Sequence, residues 1–200
     1  MLRRPDPPWD PTDLPLIGQP FAVELANTDY RSGSGDVDYL AEPGGVAAWF
    51  AHVPAATGIK VPLPVTAEAA GAIRGVRDAT RLLLTELADR TPSRSAAAAA
   101  TLHDASRSAL ARLALDVESS PPEWELRFDG AEPDVLVSSV AARCILFLGG
   151  SDAERVSRCA RPDCPLLYVR DHGARRFCSE VCAHRVRQAR YDRSRRAPED

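Results

Sequence analysis

The strongest periodicity in the chain lies in its middle third, where apolar residues recur at helical spacing. One stretch begins at Thr66, a residue type that caps helix N-termini, and continues to about Asp89. A second stretch, from about Ser95 to Val117, follows the breaker "TPS" and begins with a run of alanines. The pattern predicts two antiparallel helices. Their apolar positions are Ala69, Ile73, Val76, Leu83, Leu84 and Leu87 in the first, and Leu102, Leu110, Leu113 and Leu115 in the second.

Two further patterns follow the predicted helical pair. "EWELRFDG" at 123–130 alternates apolar and polar residues, which predicts a strand. "PDVLVSSVAARCILFLGG" at 133–150 predicts a largely buried helix that two glycines end.

The patterns before the pair are shorter. Residues 1–20 contain six prolines and predict an extended arm. "FAVELANTDY" at 21–30 suits either helix or strand, and "RSGSGD" at 31–36 predicts a flexible loop. "DYLAEPGGVAAWFAHV" predicts a turn and a short helix that ends before Pro54.

Composition places the chain among globular proteins, because 44% of the residues are hydrophobic and 26% are charged. No apolar run approaches the roughly 20 residues that span a bilayer, and the N-terminal residues lack the apolar stretch of a signal peptide. We therefore expect a cytoplasmic protein with reduced thiols and no membrane partner. The charge is uneven: residues 155–198 carry a net +8, whereas residues 1–154 carry −9. This asymmetry suits nucleic-acid contact by the basic part, or a solvated arginine-rich helix.

Of the five cysteines, one stands alone in the sequence and four form two closely spaced pairs. Cys144 lies inside the predicted buried helix and needs no chemistry there. The other four form C-x4-C, thirteen intervening residues and C-x3-C, a spacing at which two close pairs can present four thiolates to one structural zinc ion. Disulfides are the alternative, and the expected reducing compartment disfavours them. The predicted zinc ligands are Cys159, Cys164, Cys178 and Cys182.

The residues between the two pairs predict the shape of this module. "LLYVRDHGARRF" has two strand-like halves around Gly173, which predicts a hairpin, and Ser179 can cap a helix whose first turn holds Cys182. The turn that holds the first cysteine pair, the hairpin and the helix together are typical of a treble-clef-like finger. Twenty-four residues are too few for a self-sufficient core, so metal binding must stabilise the fold.

The helix after Cys182 is rich in arginine. Val186 and Ala189 continue the face of Cys182 and are expected to pack toward the metal module. The remaining faces are free to meet phosphates. The predicted nucleic-acid contacts are Arg175, Arg176, Arg185, Arg187, Arg190 and Arg193.

Several of these segments resemble a known family, the bacterial CGNR-type zinc-finger proteins with an N-terminal ABATE domain. The resemblance rests on "RCARPDC", "RRFCSEVCAHR" and "QARYDRSRR", and upstream on "ELANTD", "DYLAEPGGVAAWF" and "IRGVRDATRLLL". It implies a stress-induced transcription regulator with a DNA-binding finger. The sequence departs from the family at its name-giving motif, since Ala183 and His184 replace glycine and asparagine. Asn27 and Thr28 fall in a family signature and either line a ligand pocket or tie down a turn.

The predicted fold is thus α+β: an extended arm (1–20), a mainly helical ABATE-like domain with a short strand element (21–154), and a treble-clef-like zinc finger with a basic helix (155–196). No nucleophile elbow or phosphate-binding glycine loop occurs, and "LHD" at 102–104 is most simply a polar pair on a helix, so we expect no catalysis. The predicted function is DNA-binding transcription regulation. The N-terminal domain would serve as a sensor of a small molecule or as a homodimerisation unit. The alternative is a zinc-stabilised module that docks an acidic protein.

Overall fold

The computed structural model describes residues 16–32, 35–53, 59, 61–91, 95–118 and 120–196. Most of the predicted proline-rich arm, residues 1–15, lies outside them. The helices are α1 (Phe21–Ala26), α2 (Pro43–His52), α3 (Ala67–Ala88), α4 (Ala96–Ser106), α5 (Glu132–Leu148) and α6 (Glu180–Arg196), with a 3₁₀ turn at Ser151–Arg155. The strands are β1 (Asp29–Ser32), β2 (Gly35–Asp38), β3 (Leu110–Asp116), β4 (Glu123–Asp129), β5 (Val156–Arg158) and β6 (Leu167–Val169). They pair as three separate antiparallel two-stranded sheets.

The central helix is α3, which contacts α1, α2, α4 and α5. Its N-terminus is capped as the sequence predicts, because the Thr66 hydroxyl accepts a hydrogen bond from the Ala69 amide at 3.1 Å. Ile73 and Val76 are fully buried on the stripe that faces the other helices. Trp49 of α2 stacks edge-on against Phe50 and Phe21, which closes the core on one side. The α+β class, with mainly helical secondary structure, is confirmed.

The second helix of the predicted pair is shorter than expected. It ends at Ser106, where the Ser138 hydroxyl from α5 donates to the last carbonyl of α4 at 2.7 Å. Leu110, Leu113 and Leu115 therefore belong to strand β3 and not to a helix. β3 pairs along its whole length with the predicted strand β4, and this pairing outweighs the helix propensity of the local sequence.

Two further segments differ from expectation. Of the predicted loop at 31–36, residues 31–32 and 35–36 belong to strands, because β1 and β2 pair from Asp29 with Asp38 to Ser32 with Gly35, and residues 33–34 lie outside the described residues. The undecided segment at 21–30 divides into helix α1 and the start of β1. The predicted short helix before Pro54 and the buried helix ended by Gly149 are both confirmed as α2 and α5.

The hairpin of the finger is also placed differently. The predicted hairpin has its turn at Gly173, but β6 pairs with β5, which precedes the first cysteine. Cys159 and Cys164 thus lie in the turn of the hairpin, and residues 170–179 form an irregular connection to α6. The prediction was wrong because it paired adjacent residues and gave the short segment 156–158 no role.

The finger shares its core with the helical domain. Val156, Leu167 and Val169 pack with Val23 and Ala26 of α1 and with Leu84 of α3 in one buried cluster. Among the described residues, no helix combines the length and the apolar character that crossing a bilayer requires.

Candidate metal centre and basic helix

The four predicted ligands converge at one point. The sulfur atoms of Cys159, Cys164, Cys178 and Cys182 all lie within 4.8 Å of one another. Three of the distances between them are 3.7 Å (Cys164–Cys178), 3.6 Å (Cys178–Cys182) and 3.8 Å (Cys182–Cys164). Zinc–sulfur bonds of about 2.3 Å in a tetrahedron place the sulfurs about 3.8 Å apart, so this geometry fits one zinc ion and no disulfide. All five cysteines are free thiols in the structure.

The electrostatics of the cluster favour a cation. The Cys164 and Cys178 thiols lower the pKa of Cys159, and the Cys178 amide adds a hydrogen bond to its sulfur at 3.5 Å. The same proximity to Cys159 raises the pKa of both Cys164 and Cys178, because further ionisation would crowd negative charges in a buried space. A bound dication removes this penalty and allows all four thiolates to form. The cluster is therefore a closed structural zinc site, in which four protein ligands leave no position for a substrate.

Both halves of the site are held by local backbone contacts. The turn of the β5–β6 hairpin is closed by the Cys159 amide, which donates to the Leu166 carbonyl at 3.1 Å, and the Cys164 amide, which donates to the Arg161 carbonyl at 3.0 Å. The Ala160 amide then donates to the Arg176 carbonyl at 2.9 Å, which ties this turn to the second pair of cysteines. The Ser179 hydroxyl accepts from the Cys182 amide at 3.4 Å, so the predicted cap of α6 is confirmed.

The side chain of Arg175 forms contacts within the finger and is not part of the exposed positive surface. Its guanidinium donates to the Phe177 carbonyl at 3.1 Å and the Cys178 carbonyl at 2.7 Å, and it lies 5.0 Å from the centre of the Tyr168 ring. The Tyr168 hydroxyl in turn donates to the Arg175 carbonyl at 2.9 Å. Because the guanidinium is used inside the finger, Arg175 is not available to phosphates in the way the sequence predicts.

The other predicted contacts lie on exposed surface or at its margin. Arg176 is exposed beside the finger, and Arg185 is half-buried near the start of α6. Arg187, Arg190 and Arg193 are exposed and three residues apart, so they lie on neighbouring positions along the helix. Val186 is half-buried as expected, whereas Ala189 is exposed, so α6 leaves the finger earlier than its sequence predicts.

Two family models match this chain. One is named ABATE, carries the description "Putative stress-induced transcription regulator" and covers residues 19–152, which is more than half of the sequence. The chain belongs to the ABATE family. The second model, the CGNR zinc finger, covers residues 155–196 and so includes all four clustered cysteines and α6. Among curated proteins, no relative matches the sequence.

The CGNR motif of this ABATE-family chain reads Cys182-Ala183-His184-Arg185 and forms the first turns of α6. Cys182 is buried at the metal centre, and Ala183 is half-buried. His184 is exposed and borders a shallow surface depression with Val181 and Gln188. Of the two substituted positions, that of His184 thus faces outward on the same helix as the arginines.

Asn27 joins the ABATE domain to the finger. Its amide donates to the Leu167 carbonyl at 3.0 Å and accepts from the Leu167 amide at 3.0 Å, which satisfies the open edge of β6. The Val169 amide on the same edge donates to the Gln19 side-chain oxygen at 2.6 Å. Thr28 is buried, and its hydroxyl donates to the Leu25 carbonyl at 2.7 Å. These contacts give Asn27 and Thr28 internal structural roles, and the alternative of tying down a turn fits Thr28.

Glu24 supports this junction. Its carboxylate accepts hydrogen bonds from the Gln19 amide at 2.6 Å and the Ile17 amide at 3.0 Å, and it thereby orients the segment from which Gln19 reaches β6. Burial raises the pKa of Glu24, and these backbone hydrogen bonds oppose the increase. The sequence gives one signal for such a role, a carboxylate and an amide inside the apolar run "FAVELAN".

The remaining sequence candidates stay apart from the metal centre. Cys144 is fully buried in α5, where burial raises the pKa of its thiol to about 12. His103 and Asp104 are exposed on α4, and His52 contacts the Ala48 carbonyl of its own helix at 2.8 Å. These positions agree with the sequence-based interpretation of Cys144 as a buried apolar residue and of the "LHD" residues as a polar pair on a helix.

Proposed function

We propose that this protein is a DNA-binding transcription regulator in which the zinc finger presents α6 to the phosphate backbone. The observation that supports it most is the exposed stripe of Arg187, Arg190 and Arg193 on a helix whose first turn is fixed at the metal centre by Cys182. A helix of 17 residues is about 25 Å long, which is enough to follow a groove over several phosphates.

The charges on this helix are not neutralised within the described part of the chain. None of the α6 arginines whose side chains are described forms an ion pair with a carboxylate there; they are Arg185, Arg187, Arg190, Arg193 and Arg195. The acidic side chain of Asp192 instead accepts a hydrogen bond from Gln188 at 2.9 Å. A row of unpaired guanidinium groups is the surface that releases counterions from DNA, and this release provides sequence-independent affinity.

The ABATE domain is proposed to control this surface, as a sensor or as an oligomerisation unit. The shared core and the Asn27–Leu167 contact support this role, because a displacement of α1 would also displace β6 of the finger. We also propose that the protein is not an enzyme. In support, the group of possible metal ligands found among the described residues is a closed four-thiolate site, which has no open position for a substrate.

Docking of α6 on an acidic protein is the second candidate, and the same free arginines favour it. The two functions differ in what they predict for DNA. A protein that docks an acidic partner has no requirement for affinity to duplex DNA.

The test is titration of a fluorescent duplex with the full-length zinc-loaded protein at low salt. Arg190→Gln should weaken binding to any duplex and reduce the salt slope by about 1, because one phosphate contact is lost. Arg107→Gln is the matched control: it removes one exposed arginine from the end of α4, on the other domain, and should leave the affinity unchanged. Equal effects of the two substitutions, or no binding at low salt, would contradict the proposal.

A further inference from the structure

The β3–β4 hairpin is amphipathic, and its apolar side chains are exposed on β3. Leu113 and Leu115 lie on one face of β3 and are 72% and 66% exposed, and Val117, directly after the strand, is 69% exposed. Leu126, directly opposite Leu113 on β4, continues this face. The other face is charged: Arg112 pairs with Asp129 at 2.8 Å, and Arg127 pairs with Glu125. A row of exposed leucines on a regular strand is a surface that natural proteins usually cover.

The free edge of the hairpin is on β3. Five consecutive residues of β4, 125–129, line a cleft of about 660 Å³ with Val135, Ser139 and Leu146 of α5. Consecutive residues point to alternate faces of a strand, so β4 faces α5 with its outer edge. The outer edge of β3 consequently points away from the body of the molecule. In the described part of the chain, β3 pairs with β4 alone.

A molecule in the cleft would not cover the exposed leucines. The cleft is lined by Leu126 and Phe128 of β4, and no residue of β3 borders it. Covering Leu113, Leu115 and Val117 therefore requires an occupant that approaches the edge of β3 itself.

We propose that this occupant is a second copy of the chain, bound by antiparallel pairing of β3 with β3 about a twofold axis. In the register that we propose, Ala114 lies opposite Ala114 of the second copy. Leu113 of each copy then lies opposite Leu115 of the other, on the apolar face. Arg112 of each copy likewise lies opposite Asp116 of the other, on the charged face. One strand thus supplies both halves of an apolar cluster and both halves of two ion pairs, which is the self-complementarity that a twofold interface requires. Two marginal hairpins become one four-stranded sheet.

Arg112 can serve both contacts. Its side chain is 63% exposed while it pairs with Asp129, and a guanidinium has five donors, so it can also reach Asp116 of the second copy. In this dimer the twofold axis would relate two zinc fingers to each other. The proposal goes beyond the proposed DNA binding and does not depend on it.

The test is sedimentation velocity of the full-length zinc-loaded protein, without DNA, over a range of concentrations. We expect a monomer–dimer equilibrium. Leu113→Glu should convert the protein to a monomer. At concentrations at which the wild type is also monomeric, the melting temperatures of the two should be equal, because the side chain is exposed in the monomer. Leu63→Glu is the matched control: it changes a leucine that is 77% exposed elsewhere, and it should leave the dimer intact.

A charge exchange tests the register. Arg112→Asp should raise the dimer dissociation constant by about tenfold or more, since it sets two carboxylates opposite each other. Adding Asp116→Arg to the same chain should restore most of the affinity. A wild-type protein that stays monomeric at its highest soluble concentration, a dimer that survives Leu113→Glu, or a charge exchange without rescue would each overturn the proposal. These readouts do not involve DNA, so they are independent of the proposed function.

Discussion

Arg175 and Arg176 are neighbours of the same type, and their surroundings give them different roles. The guanidinium of Arg175 holds two carbonyls of the zinc loop and stacks on Tyr168, whereas Arg176 is exposed. The sequence could not distinguish them, because the distinction depends on where Tyr168 and Cys178 lie in three dimensions. Its prediction of phosphate contact therefore remains for Arg176 and not for Arg175.

We predict that Arg175→Lys destabilises the zinc-loaded protein by about 1–3 kcal/mol, because an ammonium group cannot reproduce the forked hydrogen bonds. Arg176→Lys is the matched control, with an expected change of about 0.5 kcal/mol or less. Both substitutions keep the charge, so an effect of Arg175→Lys on stability cannot come from lost charge. Urea unfolding measures the two values, and equal stability would remove the structural role assigned to Arg175.

The cysteines also divide by surroundings. Cys182→Ala and Cys144→Ala delete the same atom, one at the metal centre and one in the core of α5. The first should abolish stoichiometric zinc binding. The second should retain one zinc per chain and cost about 1 kcal/mol, the cost of a small cavity. Metal content by mass spectrometry decides, and loss of zinc from Cys144→Ala would show that the ligand set is wrong.

At the scale of elements, the sequence predicts the parts whose signals are local. The Thr66 cap, the buried helix ended by Gly149, the strand at 123–129 and the cap of α6 at Ser179 are all where their patterns place them. These signals are hydrogen bonds and periodicities within one segment. The four-cysteine spacing belongs with them, because a structural zinc site needs the residue type and the spacing above all.

The pairing of one strand with another segment is what the sequence does not predict. Leu110, Leu113 and Leu115 follow an alanine-rich helix and suit its continuation, and only the partner strand β4 makes β3 extended. The hairpin of the finger pairs 156–158 with 167–169 across the cysteine turn, which no local pattern of three residues can indicate. Both errors have the same cause: whether a segment forms a strand depends on the partner strand with which it pairs, and not on its own residues alone.

The contact between α1 and β6 leads to a prediction of its own. Asn27→Ala leaves the amide and the carbonyl of Leu167 buried without partners, so we expect it to destabilise the protein by about 2–4 kcal/mol. Gln188→Ala is the control, because it removes an exposed amide whose partner is Asp192 and should have little effect. Thermal and urea unfolding measure both. A stable Asn27→Ala variant with altered small-molecule binding would instead support the ligand pocket that the sequence suggested.

At the scale of the whole molecule, the finger and the ABATE domain form one packed unit with opposite charges. Residues 155–198 carry +8 and residues 1–154 carry −9, yet the contact between them is mainly a shared apolar core around Leu84, Leu167 and Val23. Among the described residues, two ion pairs join the two parts, Arg158 with Asp89 at 2.6 Å and Arg155 with Asp152 at 2.5 Å. No arginine of α6 takes part in these ion pairs, and the apolar core keeps the finger in place.

The most direct test of this account is the salt dependence of DNA binding by the full-length zinc-loaded protein. If Arg176, Arg185, Arg187, Arg190 and Arg193 meet phosphates, the logarithm of the association constant should fall with the logarithm of salt concentration at a slope of about −4 to −5. Anisotropy titrations of one labelled duplex at several salt concentrations give this slope. A slope near zero, or no measurable affinity at the lowest salt, would contradict the assignment of α6 as a DNA-binding helix.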